Sequence, residues 1–365
     1  MIIICSCNSN KPKIINLLTT NKQHIASQTP KNIILMIGDG MGLGQITAAM
    51  YANNDFLNIQ EFQNIGLIKT NSSSSIITDS AAGATAFSTG KKTYNGAINM
   101  DENKSPLVPI TSTLKKYHYK TGIITTSSVT HATPACFYGN QIKRYGVDEE
   151  LALQFTETDI DLLIGGGESF FKNRKDGQDL TELLKSKNYL IIDSITEEIP
   201  NETEKLINFC APKEPVSRLE GRGDYLPIAT KKGISILNTN NQKGFFLMIE
   251  GAQIDWGGHD NDSDYIISET LDFDKSIEIA LKFAKENKNT LLLVTADHET
   301  GGYGVTGKNK TSNELNTGFL SDDHTATMVP VFSFGPGSEK FIGIYHNNQL
   351  YHKMLEVLGV QDLGS

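Results

Sequence analysis

Several acidic and imidazole side chains in this 365-residue chain stand directly after short apolar runs, and their types are those that hold divalent cations. Asp39 follows Asn32 to Ile37 (NIILMI), Glu250 follows Phe245 to Ile249 (FFLMI), and Asp297 and His298 follow Thr290 to Thr295 (TLLLVT). Asp255 and His259 come soon after Glu250 in EGAQIDWGGH, and His324 precedes the run Val329 to Phe334 (VPVFSF). Carboxylates mixed with imidazoles form the donor set of zinc, whereas carboxylates alone suit magnesium. Four carboxylates drawn together would repel one another unless cations lay among them, so the pattern implies more than one metal ion. Taken singly, each has a plainer reading: an Asp after a strand commonly caps a helix, and a lone His is commonly structural. The combination is harder to dismiss, because four of the eight histidines, His131, His259, His298 and His324, are ligand candidates or close neighbours of them by position.

A nucleophile candidate lies in Thr78-Asp79-Ser80-Ala81-Ala82-Gly83-Ala84-Thr85-Ala86. Small, helix-favouring residues follow Ser80, which places it at or near a helix N-terminus. The free N–H groups and the helix dipole there favour an anion, either a serine alkoxide or a phosphate. Alone, Asp79 or Ser80 would be read as a cap; beside the ligand set, Ser80 reads as the reacting group.

The elements that must position these groups are short, β-branched and continuously apolar. Besides the runs above, Thr121 to Thr125 (TGIIT) and Asp161 to Ile164 (DLLI) have the same character. Such runs suit strands buried on both faces of a parallel sheet. Helical periodicity fills the gaps, most clearly over Tyr265 to Asn287. Alternation of the two predicts an α/β fold, a large, mostly parallel central β-sheet sandwiched by helices. Ligands of such sheets bind beyond the carboxyl ends of the strands, where the acidic residues stand. The polar, weakly patterned stretch Lys172 to Gly223 reads as a surface excursion. Gly304 to Asp322 reads as a loop or small crown-type insertion over the site. We expect one catalytic domain over residues 31–365, preceded by a flexible N-terminal segment, 1–30.

Composition narrows the function. The 38% hydrophobic and 21% charged content is that of a soluble globular protein. A net charge of -9 argues against a nucleic-acid-binding role, which needs a basic face. The same charge suits anionic substrates only where bound cations reverse its sign locally. Four cysteines without paired spacing indicate no disulfide framework, and Cys136 reads as a core residue. The opening MIIICSC lacks the basic start and long apolar core of a signal peptide. Two readings stay open for it: the clipped end of a lipoprotein signal with Cys7 lipidated, or a simple tail.

Together these residues resemble the alkaline phosphatase family from about Asn32 to the end of the chain. The matching motifs are IGDGMG (Ile37 to Gly42), TDSAAGATAFSTG (Thr78 to Gly90), HATPA (His131 to Ala135), EGAQIDWGGH (Glu250 to His259), TADHETGG (Thr295 to Gly302) and HTA (His324 to Ala326). The stretches GLIKT, FYG and FIGIY further resemble the compact branch from cold-adapted marine and Antarctic bacteria. The resemblance implies hydrolysis of small-molecule phosphate monoesters through a phosphoserine on Ser80. It implies one zinc held by Asp255, His259 and His324, and a second held by Asp39, Asp297 and His298 with Ser80 as its reacting partner. A third ion, magnesium in most members, would be held by Asp39, Thr133 and Glu250. His131 and Trp256, beside that third site, depart from the enteric pattern, and an imidazole there admits Zn²⁺ or Co²⁺ instead. Arg144 falls where the family places its phosphate-binding arginine; Lys143 competes for the role, but a planar fork that grips two oxygens favours Arg144. Asp260 reads as surface. The family also implies a homodimer in the periplasm or outside the cell, anchored to a membrane if Cys7 is lipidated. Ser80 followed by Ala-Ala-Gly argues against a sulfatase, and a non-catalytic relative normally lacks a nucleophile or ligand, whereas every motif position is filled here.

Overall fold

The computed structural model describes residues 29–362 except 197, 201 and 310–313, so the expectations for Cys7 and most of the 1–30 segment lie outside the described residues. In chain order the strands are β1 (Asn32–Gly38), β2 (Asn64–Lys69), β3 (Lys120–Ser128), β4 (Leu162–Gly166), β5 (Leu190–Ile192), β6 (Leu206–Phe209), β7 (Phe245–Gly251) and β8 (Thr290–Thr295). The short β9 (Glu299–Thr300), β10 (Gly304–Lys308), β11 (Leu315–Gly318) and β12 (His324–Thr325) follow, then β13 (Val329–Phe334) and β14 (Gly343–His346). Ten of them form one sheet in the order β14-β2-β13-β8-β1-β7-β3-β4-β6-β5. Every pairing is parallel except those of β13 with β8 and β2, so β13 alone runs against the rest. This is the large, mostly parallel sheet that the apolar runs predict.

Its centre is dry because both faces are covered. Every residue of β1, β7 and β8 is buried, which explains why these strands read as unbroken apolar runs. The long helix Ser263–Asn287 and the helix Tyr225–Asn238 pack side by side on one face, against β8, β1, β7 and β3. On the other face Phe137, just after the short helix Ala132–Ala135, stacks on Phe246 of β7. Asp262 caps the long helix, its carboxylate accepting from the Asp264 and Tyr265 N–H groups.

The Lys172 to Gly223 stretch is more than a surface excursion. It contributes β5 and β6, which extend the sheet beyond β4. The Gly304 to Asp322 stretch contains an antiparallel hairpin, β10 with β11, resting against the helix Leu43–Ala52. Among the described residues no helix is long and apolar enough to cross a membrane.

Candidate active site

Register brings the acidic residues to one level. Ile37 on β1 pairs with Glu250 on β7 on one side and with Thr295 on β8 on the other, and Thr125 on β3 pairs with Glu250. Asp39 and Asp297 each lie two residues beyond those paired positions, so four adjacent strands end in one polar floor. Two glycines permit the close packing around it. Gly40 has φ +73°, and a Cβ there would lie 2.8 Å from both Asp255 Cα and Thr300 Oγ1. A Cβ on Gly83 would already meet Asp297 Cβ at 3.0 Å, which is how the helix Ser80–Thr89 sits so close to the sheet edge.

That helix is wholly buried and begins at Ser80. Asp79 is its cap: one carboxylate oxygen accepts from the Ala82 N–H at 3.0 Å, the other from the Gly96 N–H at 3.0 Å. The second oxygen also pairs with Arg144 Nη1 at 3.3 Å, and Nη1 stands 3.4 Å from Ser80 Oγ. Lys143, by contrast, is exposed and does not line the cavity.

Two clusters of donors face Ser80. The inner one contains Asp39, Asp297 and His298, all completely buried; His298 Nε2 lies 3.3 Å from Ser80 Oγ, 3.3 Å from Asp39 Oδ1 and 3.3 Å from Asp297 Oδ2. The outer one contains Asp255, His259 and His324, with His259 Nε2 and His324 Nε2 3.1 Å apart and each 3.5 Å from the Asp255 carboxylate. In the outer cluster each imidazole uses Nδ1 on a backbone carbonyl, His259 on Asp322 at 2.6 Å and His324 on Thr78 at 2.8 Å. Such bonds fix the tautomer and leave Nε2 as the free donor atom, the arrangement typical of metal-ligating histidines. Behind the inner cluster, Thr133 Oγ1 approaches Asp39 Oδ2 at 3.4 Å, and Thr125 donates a short hydrogen bond to Glu250 Oε2. His131 and Trp256 meet edge to face with ring centroids 6.1 Å apart, and His131 Nδ1 is buried with no partner. Asp260 is exposed.

The residues fit metal ions on two grounds. Asp39 Oδ1, Glu250 Oε1 and Asp297 Oδ2 are buried without a hydrogen-bond donor, and buried acceptors rarely stay so. Burial, reinforced by the charges of Asp297, Asp255 and Glu250, pushes the Asp39 carboxyl well above its usual range. Burial likewise raises Glu250 to about 8 and Asp297 to about 7. The outer cluster behaves differently. Burial would raise Asp255, but the hydrogen bond from His324 and the neighbouring imidazoles outweigh it and hold the carboxyl below its ordinary value. Burial would lower His324, but its bond to Asp255 lifts it to about 9.

Apart from Lys143, the rival to Arg144, every residue singled out from the sequence as a candidate ligand, nucleophile or phosphate holder reaches this site. Three positioning residues were not foreseen in these roles. Thr300 Oγ1 bonds both Asp255 and His298 Nδ1, the latter at 3.2 Å, so it orients one member of each cluster. Asp79 couples the serine helix to Arg144, and Thr125 braces Glu250. Thr300 and Asp79 lie within two residues of a predicted site residue, a signal that could have found them.

The cavity above Ser80, about 440 Å³, is lined by Asp79, Arg144, Asp255, His259 and His324, with Ile77, Asn95 and Tyr145 among its upper wall. A buried serine at a helix N-terminus, an arginine fork and two carboxylate–imidazole clusters can bind a phosphate and attack it. Comparison with known proteins agrees. The alkaline phosphatase family model matches residues 30–314. Alkaline phosphatase 4 of Bacillus subtilis is 32% identical over 412 residues, covering 90% of this chain and 88% of that one. The solved alkaline phosphatase of the Antarctic bacterium TAB5 is 43% identical, with a TM-score of 0.87 over 92% of this chain and 100% of that chain. The cold-active enzyme of Shewanella is 28% identical, with a TM-score of 0.81 over 90% of this chain and 99% of its own. Likeness of this extent, carried by both sequence and sheet, means that the chain belongs to the alkaline phosphatase family, whose members are hydrolases of phosphate monoesters.

Proposed function

We propose that this chain hydrolyses phosphate monoesters in two displacements through a phosphoserine on Ser80, and that it does so with bound metal ions. The observation that carries the reading is the placement of Ser80 Oγ. It lies at the helix N-terminus, within 3.4 Å of both Arg144 Nη1 and His298 Nε2, on the floor of the cavity. Asp255, His259 and His324 would hold one zinc, and Asp39, Asp297 and His298 a second. Asp39, Thr133 and Glu250 would hold a third ion. Bound there, the cations would neutralise charge developing on the entering and leaving oxygens.

The chain's own groups do the rest. Arg144, held by Asp79, binds two non-bridging oxygens and turns the phosphorus toward Ser80. Ser80 Oγ loses its proton and forms the O–P bond while the ester P–O bond breaks, and the departing alkoxide takes up a proton. Water then attacks the phosphoserine from the vacated side, the Oγ–P bond breaks, and Ser80 regains a proton as phosphate leaves. The buried floor keeps the anionic centre away from bulk solvent. For the third ion, His131 is the residue to consider. In the TAB5 enzyme, variants with a histidine replaced by Glu or Asp carry magnesium in a site called M3. We propose that His131 plays the corresponding part here and biases its site away from magnesium.

The test is hydrolysis of p-nitrophenyl phosphate by wild type and Ser80→Ala, each chelated and then restored with zinc and magnesium. We expect chelation to abolish activity and metal to restore it, and Ser80→Ala to lose on the order of 10³-fold or more in kcat. A folded, metal-loaded wild type without activity would sink the reading. Full activity after chelation would remove its metal dependence.

A further inference from the structure

We propose that Tyr145 and Ile77 form a fixed shelf for the leaving group, and that the enzyme favours phosphate monoesters of flat, aromatic alcohols. This rests on the phosphomonoesterase reading and deepens it by naming a substrate class.

Around Ser80 the cavity wall is polar or charged, and nothing there rewards a carbon group. Apolar surface enters the lining only with Tyr145 and Ile77. Their side chains are available, since Tyr145 is 75% exposed and Ile77 36%. Single exposed apolar residues are ordinary; the mounting of these two is not. Tyr145 directly follows the phosphate-holding arginine, and the Arg144 guanidinium carbon lies 5.2 Å from its ring centroid. The ring therefore stands beside the phosphate holder, adjacent to it both in the chain and in space.

Both sides of the shelf are also tied to one loop. Tyr94 donates its hydroxyl to the Ile142 carbonyl at 3.1 Å, which holds the segment leading to Tyr145. Asn95 donates its side-chain amide to the Ile77 carbonyl at 3.0 Å and its backbone N–H to Ser74 Oγ at 3.1 Å. Gly96 then donates to Asp79, next to the nucleophile. The loop 94–96 thus sets the spacing between shelf and reacting oxygen. An ester whose non-bridging oxygens are gripped inside must send its organic group out through the mouth, past this ring. A flat aromatic group can stack there, whereas a polyol gains nothing from the ring.

The experiment measures kcat and KM of the metal-loaded enzyme for 1-naphthyl phosphate, phenyl phosphate and glycerol 2-phosphate, with inorganic phosphate as inhibitor. Wild type, Tyr145→Ala and Tyr145→Phe are compared. We expect Tyr145→Ala to raise KM for the two aromatic esters roughly three- to tenfold relative to glycerol 2-phosphate and phosphate, with little change in kcat. Tyr145→Phe, which keeps the ring, should keep the wild-type preference. Equal weakening of every ester and of phosphate would mean that Tyr145 merely supports Arg144, and the shelf is wrong. No change for any substrate overturns it equally. A folded wild type that cleaves none of the three esters overturns the underlying reading, and the shelf with it.

Discussion

The two donor clusters are built from the same residue types yet solve opposite problems. Asp39, Asp297 and His298 are completely buried, and desolvation drives the two carboxyl groups toward their neutral form. Asp255, His259 and His324 lie nearer the solvent and compensate one another, the carboxylate charged and His324 lifted to about 9. The inner cluster is poised for a reaction but unfavourable without cations; the outer one is nearly self-sufficient. Depth and composition together make the difference: the inner carboxylates are desolvated beside other carboxylates, whereas the imidazoles around Asp255 outweigh its burial.

Asp297→Asn should show the largest effect. Activity should fall by on the order of 10²–10³-fold, while the chelated protein becomes more stable above about pH 7, because one carboxyl that must be desolvated has gone. A chelated Asp297→Asn melting below chelated wild type there would erase the distinction between the clusters.

A smaller loss is expected for His259→Gln in the outer cluster, where the side chain is 38% exposed. We expect a roughly 10–100-fold weakening of zinc affinity, with activity returning as zinc is raised. Activity that no zinc concentration recovers would mean that the outer cluster is as exacting as the inner one.

The most modest effect lies in pH dependence after chelation. Glu250 and Asp297 have raised folded-state values, so between about pH 4 and their values of about 8 and 7 the folded protein keeps protons that the unfolded chain has released. Their stabilising protonation is complete below that window and is lost as pH rises through it. His324 adds in the same direction, its contribution disappearing as pH rises through about 9. Chelated protein should therefore lose roughly 5 °C or more in Tm between about pH 6 and about pH 9.5, and metal-loaded protein much less. Calorimetry finding a flat or rising Tm in the chelated sample would contradict the pKa pattern on which the comparison rests.

What the sequence disclosed follows the same division between centre and edge. β1, β7 and β8 were legible because strands buried on both faces must be apolar throughout, and an acidic residue at the end of such a run stands out. The edge strands were not. In β2 only Gly66 and Ile68 are buried while Ile65 is 49% exposed, so no run marks it. β6 is wholly buried but has four residues in polar surroundings, and β5 has three and pairs only with β6. Such strands take their conformation from a neighbour's register more than from their own composition. Within the site, the candidate ligands announced themselves by type, whereas Thr300 and Thr125 did not. A hydroxyl that orients a ligand looks like any other threonine until its partners, 45 and 125 residues away in the chain, are placed.

The reversed strand β13 has a consequence for how the protein is made. Because it runs against its neighbours, the chain arrives at the polar edge before entering the sheet, which is how His324 reaches a site otherwise supplied from strand ends. Within the sheet, among the described residues, β13 also joins β8 to the pair β2 and β14. During synthesis β2 emerges early but has no place in the sheet until more than 250 further residues have left the ribosome. The outer cluster is completed by the same late segment. A chain ending before His324 would therefore carry Ser80 and the inner cluster yet never complete the outer one.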